Sequence, residues 1–150
     1  EGIFITHAHE DHLGAIGFIA SRIDCKIFCR KFTAEIVRDK LKKVNVSDKR
    51  IVTVKEWPFE VKLKNASVTF FPTNHSVPEA SFLIIKSKFG VVLHTGDFKI
   101  DKSPVLAKKI FNNNYLFFQH WLHALCEDAY LQLLIASPVY PLPQFYRWIN

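Results

Sequence analysis

A run of six residues near the start of the chain carries the side chains best suited to chemistry. It reads His7-Ala8-His9-Glu10-Asp11-His12 and follows a short apolar segment, Gly2-Ile3-Phe4-Ile5-Thr6. Histidine is the commonest metal ligand among side chains, and aspartate supplies the harder oxygen donor that a second divalent ion prefers. Because three imidazoles and a carboxylate this close together are hard to explain by packing, the run predicts a metal-binding loop.

The spacing of these side chains predicts two neighbouring groups of ligands. Side chains two residues apart in an extended chain point to the same side, so His7 and His9 can hold one ion. A helix that begins just after them would turn Asp11 and His12 towards a second position. The alternative is a histidine-rich surface turn, which the ordered pattern after an apolar strand disfavours.

Three stretches of the sequence resemble the motifs of one family. Residues 6–14, Thr-His-Ala-His-Glu-Asp-His-Leu-Gly, are similar to the signature of the metallo-β-lactamase superfamily. Residues 74–80, Asn-His-Ser-Val-Pro-Glu-Ala, and 94–99, His-Thr-Gly-Asp-Phe-Lys, resemble the third and fourth motifs of its nucleic-acid-processing (β-CASP) branch. The combination is most similar to the ribonuclease J family. The resemblance covers roughly residues 1–109 and implies an α/β fold, the first half of an αββα sandwich with a mixed or antiparallel sheet flanked by helices.

The same resemblance implies six ligands for two zinc ions. Those of the first ion are His7, His9 and His75, those of the second are Asp11 and His12, and Asp97 bridges both. Asp11 is also the implied catalytic residue, which would orient or deprotonate the attacking water. Beside the bridge, His94 and Thr95 are candidates for supporting positions, although His94 also fits a buried histidine at a strand end.

Two parts of the family site have no match in the chain. The second zinc takes one more histidine in the family, and a further histidine is expected to protonate the leaving group; His120 and His123 lie outside any family motif. The resemblance therefore implies a fragment of a metal-dependent ribonuclease, which hydrolyses RNA phosphodiesters with a two-zinc-activated water and is inactive alone. The alternatives are a small-molecule metallo-hydrolase of the glyoxalase or lactonase kind and a non-catalytic binding remnant.

The distribution of charge agrees with a polyanionic partner. Of the net charge of +6, residues 1–109 carry +7 and residues 110–150 carry −1. Basic surfaces neutralise phosphates and supply most non-specific nucleic-acid affinity. Since soluble proteins with lysine-rich helices look similar, charge supports an RNA partner only together with the metal motif.

Length and cysteine content bound the class of protein. A chain of 150 residues with 49% hydrophobic content is large enough for one domain with a real core. No apolar run reaches the roughly 20 residues of a membrane span. Cys25, Cys29 and Cys126 form an odd set, which predicts a reducing, cytoplasmic location. Because the chain contains no methionine, we expect it to be a segment of a longer protein.

Hydrophobic patterning predicts the elements that position the motifs. Gly2–Thr6 and Lys26–Cys29 read as strands, and Leu13–Ala20 and Thr33–Lys43 have helical spacing, with Thr33 as an N-cap. Five more strands are predicted near Arg50–Val54, Glu60–Leu63, Ser67–Phe71, Ser81–Lys86 and Val91–Leu93. Strands, a helix and then a run of antiparallel-type strands predict a mixed α/β sandwich.

The character of the sequence changes at about residue 110. Residues 110–150 hold 3 charged residues and 10 of the 21 aromatic residues of the chain. The boundary predicts a partial metallo-β-lactamase domain over residues 1–109 and an atypical, aromatic-rich helical tail over residues 110–150. The tail is interpreted as an out-of-family extension, with a helical hairpin covered by a protein partner as the alternative.

Overall fold

The computed structural model of the chain describes residues 1–99 and Val105. Within them, strands and helices alternate first and strands follow one another afterwards. The strands are β1 Gly2–Phe4, β2 Lys26–Arg30, β3 Ile51–Val54, β4 Phe59–Lys62, β5 Ala66–Pro72, β6 Ser81–Ser87 and β7 Gly90–His94. The helices are α1 Glu10–Leu13, α2 Ile16–Arg22 and α3 Lys31–Lys43, with a 3-10 turn at Asp48–Arg50 before β3.

The first sheet contains three parallel strands in the order β1-β2-β3. Parallel neighbours need a crossover connection, which α1 and α2 supply between β1 and β2 and α3 supplies between β2 and β3. Alternation along β2 sends Ile27 and Cys29 to one face of the sheet and Phe28 to the other. The helices cover the first face, where the core cluster comprises Ile5, Leu13, Ile16, Ala20, Ile27, Cys29, Ala34, Val37 and Leu41.

The second sheet contains four antiparallel strands in the order β4-β5-β6-β7. Val68, Phe70 and Leu83 on its inner face form one buried cluster with Phe28 and Val54 of the first sheet. The two sheets therefore pack face to face, and the described residues make three layers: helices, first sheet and second sheet. This confirms the predicted α/β class, in which the described helices cover a parallel sheet and an antiparallel sheet packs on its other face.

The predicted run of antiparallel-type strands begins one strand later than expected. The strand expected near Arg50–Val54 is β3, which pairs in parallel with β2, Ile27 opposite Ile51. Because α3 carries the chain back along the sheet, β3 starts at the same end as β2. Only the strands from β4 onwards form the antiparallel meander.

The helix expected after the metal-binding loop forms as two pieces. α1 ends at Leu13 and α2 begins at Ile16, with Gly14 and Ala15 between them. A Cβ atom on Gly14 would lie 2.5 Å from the carbonyl oxygen of Glu10. Because the junction passes so close to the preceding turn, glycine fits at position 14. A residue with a side chain would push the junction away from the Glu10 carbonyl.

Helix α3 begins earlier than predicted, and Thr33 is not its N-cap. Arg30 occupies that position in an extended conformation, while Thr33 is buried in the first turn with its hydroxyl unpartnered among the described residues. The carboxylate of Glu79 instead accepts a hydrogen bond from the Phe32 amide at 2.7 Å. A distant loop therefore does what a local cap usually does for the free N–H groups of a first turn.

The basic residues of α3 are largely paired with acids at the surface. Arg38 contacts Glu35 and lies 3.2 Å from Asp48, and the Lys40 ammonium lies 2.7 Å from the Glu10 carboxylate. Exposed pairs of this kind contribute little to stability. They are typical of a helix face that is in contact with solvent.

Several sequence predictions concern residues outside those described. These are the boundary at residue 109, the tail at residues 110–150, and Cys126, His120 and His123.

Cys25 and Cys29 are free thiols, and burial raises the pKa of Cys29 to about 12, so this side chain is a packing group. No helix in the described part of the chain is long and apolar enough to cross a membrane.

The packing of the two sheets can be tested at Phe70, which is fully buried between them. We expect Phe70→Ala to lower the free energy of unfolding by about 3–5 kcal/mol, because it removes apolar contacts and leaves a cavity. Urea denaturation would measure the loss. The matched control is Phe89→Ala, at a ring that is 85% exposed, with an expected change below about 0.5 kcal/mol. Equal losses for the two variants would contradict the layered core.

Candidate metal centre

The loop after β1 remains extended past the end of the strand. The Ile5 amide donates to the Phe28 carbonyl at 3.0 Å, and the Ser81 amide donates to the Thr6 carbonyl at 3.0 Å. His9, the N-cap of α1, still has an extended backbone, with φ −75° and ψ 149°. The side chains of His7 and His9 therefore point to the same side, with their rings 4.9 Å apart.

Four of the predicted ligands lie together at the end of this loop. The group contains His7, His9, His75 and Asp97, whose donor atoms all lie within 4.8 Å of one another. His9 Nδ1 is 3.2 Å from His7 Nε2 and 3.0 Å from His75 Nε2. His75 reaches the group from the loop between β5 and β6, and Asp97 from the segment after β7. Both sheets therefore contribute to it.

The other two predicted ligands form a second group around the same carboxylate. Asp11 and His12 lie with Asp97 within the same 4.8 Å limit. His12 Nε2 is 3.4 Å from Asp97 Oδ1 and 3.6 Å from the Asp11 carboxylate. The other oxygen of Asp97, Oδ2, is 3.6 Å from His75 Nε2 and 4.0 Å from His7 Nε2. Asp97 thus stands between the two groups, one oxygen turned to each.

Two hydroxyl groups orient the imidazoles, and neither was predicted from the sequence to do so. Thr6 Oγ1 lies 3.0 Å from His7 Nδ1, and Ser76 Oγ lies 3.1 Å from His9 Nε2. A hydrogen bond at one ring nitrogen leaves the other ring nitrogen available as a ligand for a metal ion. His7 Nε2 and His9 Nδ1 are left facing the centre of the group. The only signal for these residues was their position next to ligands within the motifs.

The environment of the site favours the neutral form of two of its histidines, His7 and His75. Burial, together with smaller effects of His12, His75 and His9, lowers the pKa of His7 to about 4, while Asp97 opposes the shift. The pKa of His75 is also lowered, mainly by burial. Neutral imidazole is the form that binds a metal ion. At neutral pH, His7 is therefore in the form that can bind a metal ion, without first losing the charge of an imidazolium.

The two supporting candidates beside Asp97 differ in environment. Burial lowers the pKa of His94, with smaller effects of His12 and Asp97 in opposite directions. Thr95 has a buried hydroxyl oxygen with no hydrogen-bond partner among the described residues. Both lie near the site in the chain, and their supporting roles stay predictions.

A glycine lets the Asp97 segment approach the loop after β1. Gly96 has a φ of +55°, and a Cβ atom there would lie 3.1 Å from the Thr6 Cβ atom. The left-handed conformation and the close approach both favour glycine. Because Thr6 also contacts the His7 ring, the spacing between Thr6 and Gly96 affects the whole site.

The donor set fits a divalent metal ion. Three imidazole nitrogens and one carboxylate oxygen form a recurrent zinc-binding combination, and donor atoms on one ion lie about 3–4 Å apart when Zn–N distances are ~2.0–2.1 Å. The measured separations of 3.0, 3.2, 3.6 and 4.0 Å in the first group are close to this spacing. The assignment of these residues as ligands stays a proposal.

Comparison with known families agrees with this geometry. The family described as "Beta-lactamase superfamily domain" matches residues 1–119 of the chain. The chain belongs to the metallo-β-lactamase superfamily. Among solved structures of similar fold is Igni18, described as a novel metallo hydrolase from the archaeon Ignicoccus hospitalis. It is 26% identical, with a TM-score of 0.50 over 67% of this chain and 43% of that one.

Within the metallo-β-lactamase superfamily, curated relatives confirm the resemblance to ribonuclease J. Ribonuclease J 2 of Staphylococcus saprophyticus is 35% identical over 104 residues, and that of Staphylococcus aureus strain NCTC 8325 is 33% identical over 104 residues. Each match covers 69% of this chain and 18% of the relative. The chain therefore spans about a fifth of the length of the curated relatives it matches.

The close approach at Gly96 generates a prediction about stability. We expect Gly96→Ala to lower the free energy of unfolding of the metal-free protein by about 1–3 kcal/mol, since the new methyl group strains the positive φ and presses on Thr6. Urea denaturation is the measurement. The comparison variant is Gly17→Ala in helix α2, which is also buried. Its new Cβ atom would lie 3.3 Å from the methyl groups of Val44, but its backbone is helical, so a smaller change is expected. A Gly96→Ala protein as stable as the parent would refute the account of this contact.

Proposed function

We propose that this chain carries the metal-binding half of a ribonuclease J-like, metal-dependent hydrolase whose substrate in the complete protein is RNA. The observation that carries the proposal is the position of Asp97 between two groups of donor atoms. A carboxylate shared by two dications offsets their mutual repulsion, as two-metal phosphodiesterases require. The similarity to proteins named ribonuclease J 2 supports RNA as the substrate class.

Zinc is the proposed metal, on the chemistry of the donors. The first group would hold one ion through His7, His9 and His75, and the second group another through Asp11 and His12, with Asp97 shared. When bound, the two ions would supply Lewis acidity towards a phosphoryl group and lower the pKa of water. The neutral state of His7 and the hydroxyl contacts of Thr6 and Ser76 supply donors that are already oriented.

Asp11 is the proposed catalytic carboxylate. Its side chain is 71% exposed, and its Oδ2 lies 3.6 Å from His12 Nε2. An accessible carboxylate at the rim of the site can accept a hydrogen bond or a proton from an attacking water. Asp97 is more enclosed, with 26% exposure, and it faces donors on both sides. The two carboxylates are therefore suited to different tasks.

Two features favour RNA over a small neutral substrate. The net charge of +7 over residues 1–109 suits a polyanion. Lys99 lies in the segment after β7, where its amide donates to the Asn74 carbonyl at 2.7 Å, next to His75. The second candidate is a small-molecule metallo-hydrolase of the same superfamily, which the fold shared with Igni18 accommodates.

The free thiols of Cys25 and Cys29 suit a reducing, cytoplasmic location.

The two donor groups differ enough to predict unequal metal sites. We expect one tight zinc on the first group and a weaker second ion, because Asp11 is exposed and the second group has three donors within the described residues. Calorimetric titration of the metal-stripped chain would measure both. His7→Ala should weaken the tight site by more than the roughly 10–100-fold typical of a supporting residue, and His94→Ala by less than His7→Ala. Two equally tight sites would contradict the prediction.

Cleavage of RNA by the isolated chain is not expected. Loss of a general acid costs about 10²–10⁴-fold in rate, and incomplete positioning of substrate adds several kcal/mol to the barrier. We therefore expect no measurable cleavage of a single-stranded RNA by the 150-residue chain with zinc or manganese, with a full-length ribonuclease J as positive control. Robust, chelator-sensitive cleavage that Asp11→Ala abolishes would refute this and would direct attention to His120 and His123.

A further inference from the structure

An ion pair outside the donor groups joins the first sheet to the loop that carries His75. Arg30 Nη2 lies 2.9 Å from Glu79 Oε1, and the second oxygen of Glu79 accepts from the Phe32 amide at 2.7 Å. The Arg30 side chain is 8% exposed and that of Glu79 is 27% exposed. Both carboxylate oxygens are therefore used, and the Arg30 partner of the pair is buried.

Arg30 is itself held in place by the first sheet and by an aromatic ring. Its Nη1 donates to the Val54 carbonyl at 2.6 Å, and its guanidinium lies 3.9 Å from the centre of the Trp57 ring. Trp57 Nε1 in turn donates to Ser81 Oγ at 3.3 Å. A planar guanidinium held by a carbonyl and an aromatic ring is a rigid point of attachment for a carboxylate.

The loop between β5 and β6 is short, and its base is closed. The Thr73 amide donates to the Ala80 carbonyl at 2.9 Å, so residues 74–79 form the loop proper. Within it, Glu79 has a φ of +58°, a conformation that costs energy for a residue with a side chain. Such a conformation persists where surrounding contacts impose it. The Glu79 side chain contacts Arg30 and Phe32, and its carbonyl accepts a hydrogen bond from Ser81 Oγ at 3.4 Å.

We propose that Arg30 and Glu79 are a positioning pair, which holds the loop at residues 74–79 so that His75 faces His7 and His9. The inference rests on the proposed metal-binding function and extends it to residues that touch no donor atom. Anchored at Glu79 and at Ser81, the loop has little freedom to turn His75 away. Loss of the carboxylate releases the loop tip while its closed base remains.

A double-mutant cycle on zinc affinity tests the pair. Glu79→Gln keeps the size of the side chain and removes its charge; we expect about a tenfold weaker tight site, within the range for groups that support a ligand. His75→Ala removes the ligand itself. If Glu79 acts through His75, the double variant binds zinc about as weakly as His75→Ala alone. Additive losses indicate general destabilisation and would overturn the proposal.

The matched control is Glu56→Gln, which removes the same charge from an exposed position near Trp57. We expect its zinc affinity to stay within twofold of the parent. If Glu79→Gln fails to fold, Arg30→Lys keeps the charge of the pair but not its fork geometry, and the same cycle with His75→Ala applies. Unchanged zinc affinity in both Glu79→Gln and Arg30→Lys would also overturn the proposal.

A metal-free measurement separates this inference from the proposed function. In the metal-stripped protein, ring-to-ring nuclear Overhauser contacts between His75 and His9 report the position of the loop directly. We expect them in the parent and in Glu56→Gln, and expect them to weaken in Glu79→Gln. If the parent binds no zinc but this pattern holds, the metal proposal fails while the positioning pair stands. Contacts that persist unchanged in Glu79→Gln overturn the positioning pair whatever the metal result.

Discussion

The structure of the site depends on Thr6, where three segments of chain meet. Its carbonyl accepts the hydrogen bond from the Ser81 amide, so the first sheet is tied there to the start of β6. Its hydroxyl lies 3.0 Å from the His7 ring, and its side chain lies against Gly96. The donors come from three loops that are distant from one another in sequence. Because Thr6 is buried and contacts His7, Gly96 and the start of β6, it fixes the distances between these loops.

Gathering imidazoles in this way has an electrostatic cost that the rest of the fold offsets. Protonated rings would repel one another, and burial already disfavours charge on His7, so its pKa falls to about 4. Asp97 reduces the repulsion but does not cancel it. The free energy that holds the rings together comes from the two apolar clusters on either side of the first sheet. The site is therefore preformed by packing before any ion binds.

Sequence patterning predicted most of the strands and helices and the donors of the first loop, while His75 and Asp97 were predicted from the family resemblance. Apolar alternation marked β4 to β7 to within a residue or two, and the motif spacing indicated that His7 and His9 share a side. It failed where distant parts of the chain decide the outcome. The cap of α3 comes from Glu79 rather than Thr33, and β3 joins the parallel sheet. Neither outcome is encoded by residues that are neighbours in sequence.

For the same reason, the sequence did not predict that Thr6 and Ser76 orient the histidine rings. A hydroxyl beside a histidine is common in sequences, and only the geometry tells which ring nitrogen it reaches. Resemblance to a family predicted the candidate ligands because their types are restricted by metal chemistry. Orienting groups are restricted by position, and many residue types satisfy a single hydrogen bond.

The two donor groups are tied to the fold in unequal ways, and this links metal binding to the packing of the sheets. The first group takes His7 and His9 from the loop after β1 and His75 and Asp97 from loops of the second sheet. An ion held there would connect the sheets through two ligands on each side, so its binding free energy would add to the free energy of unfolding. The second group has Asp97 alone from the second sheet, and Asp11 is largely exposed. Stability gained from metal should therefore follow occupancy of the first group, while the second remains the more exchangeable position.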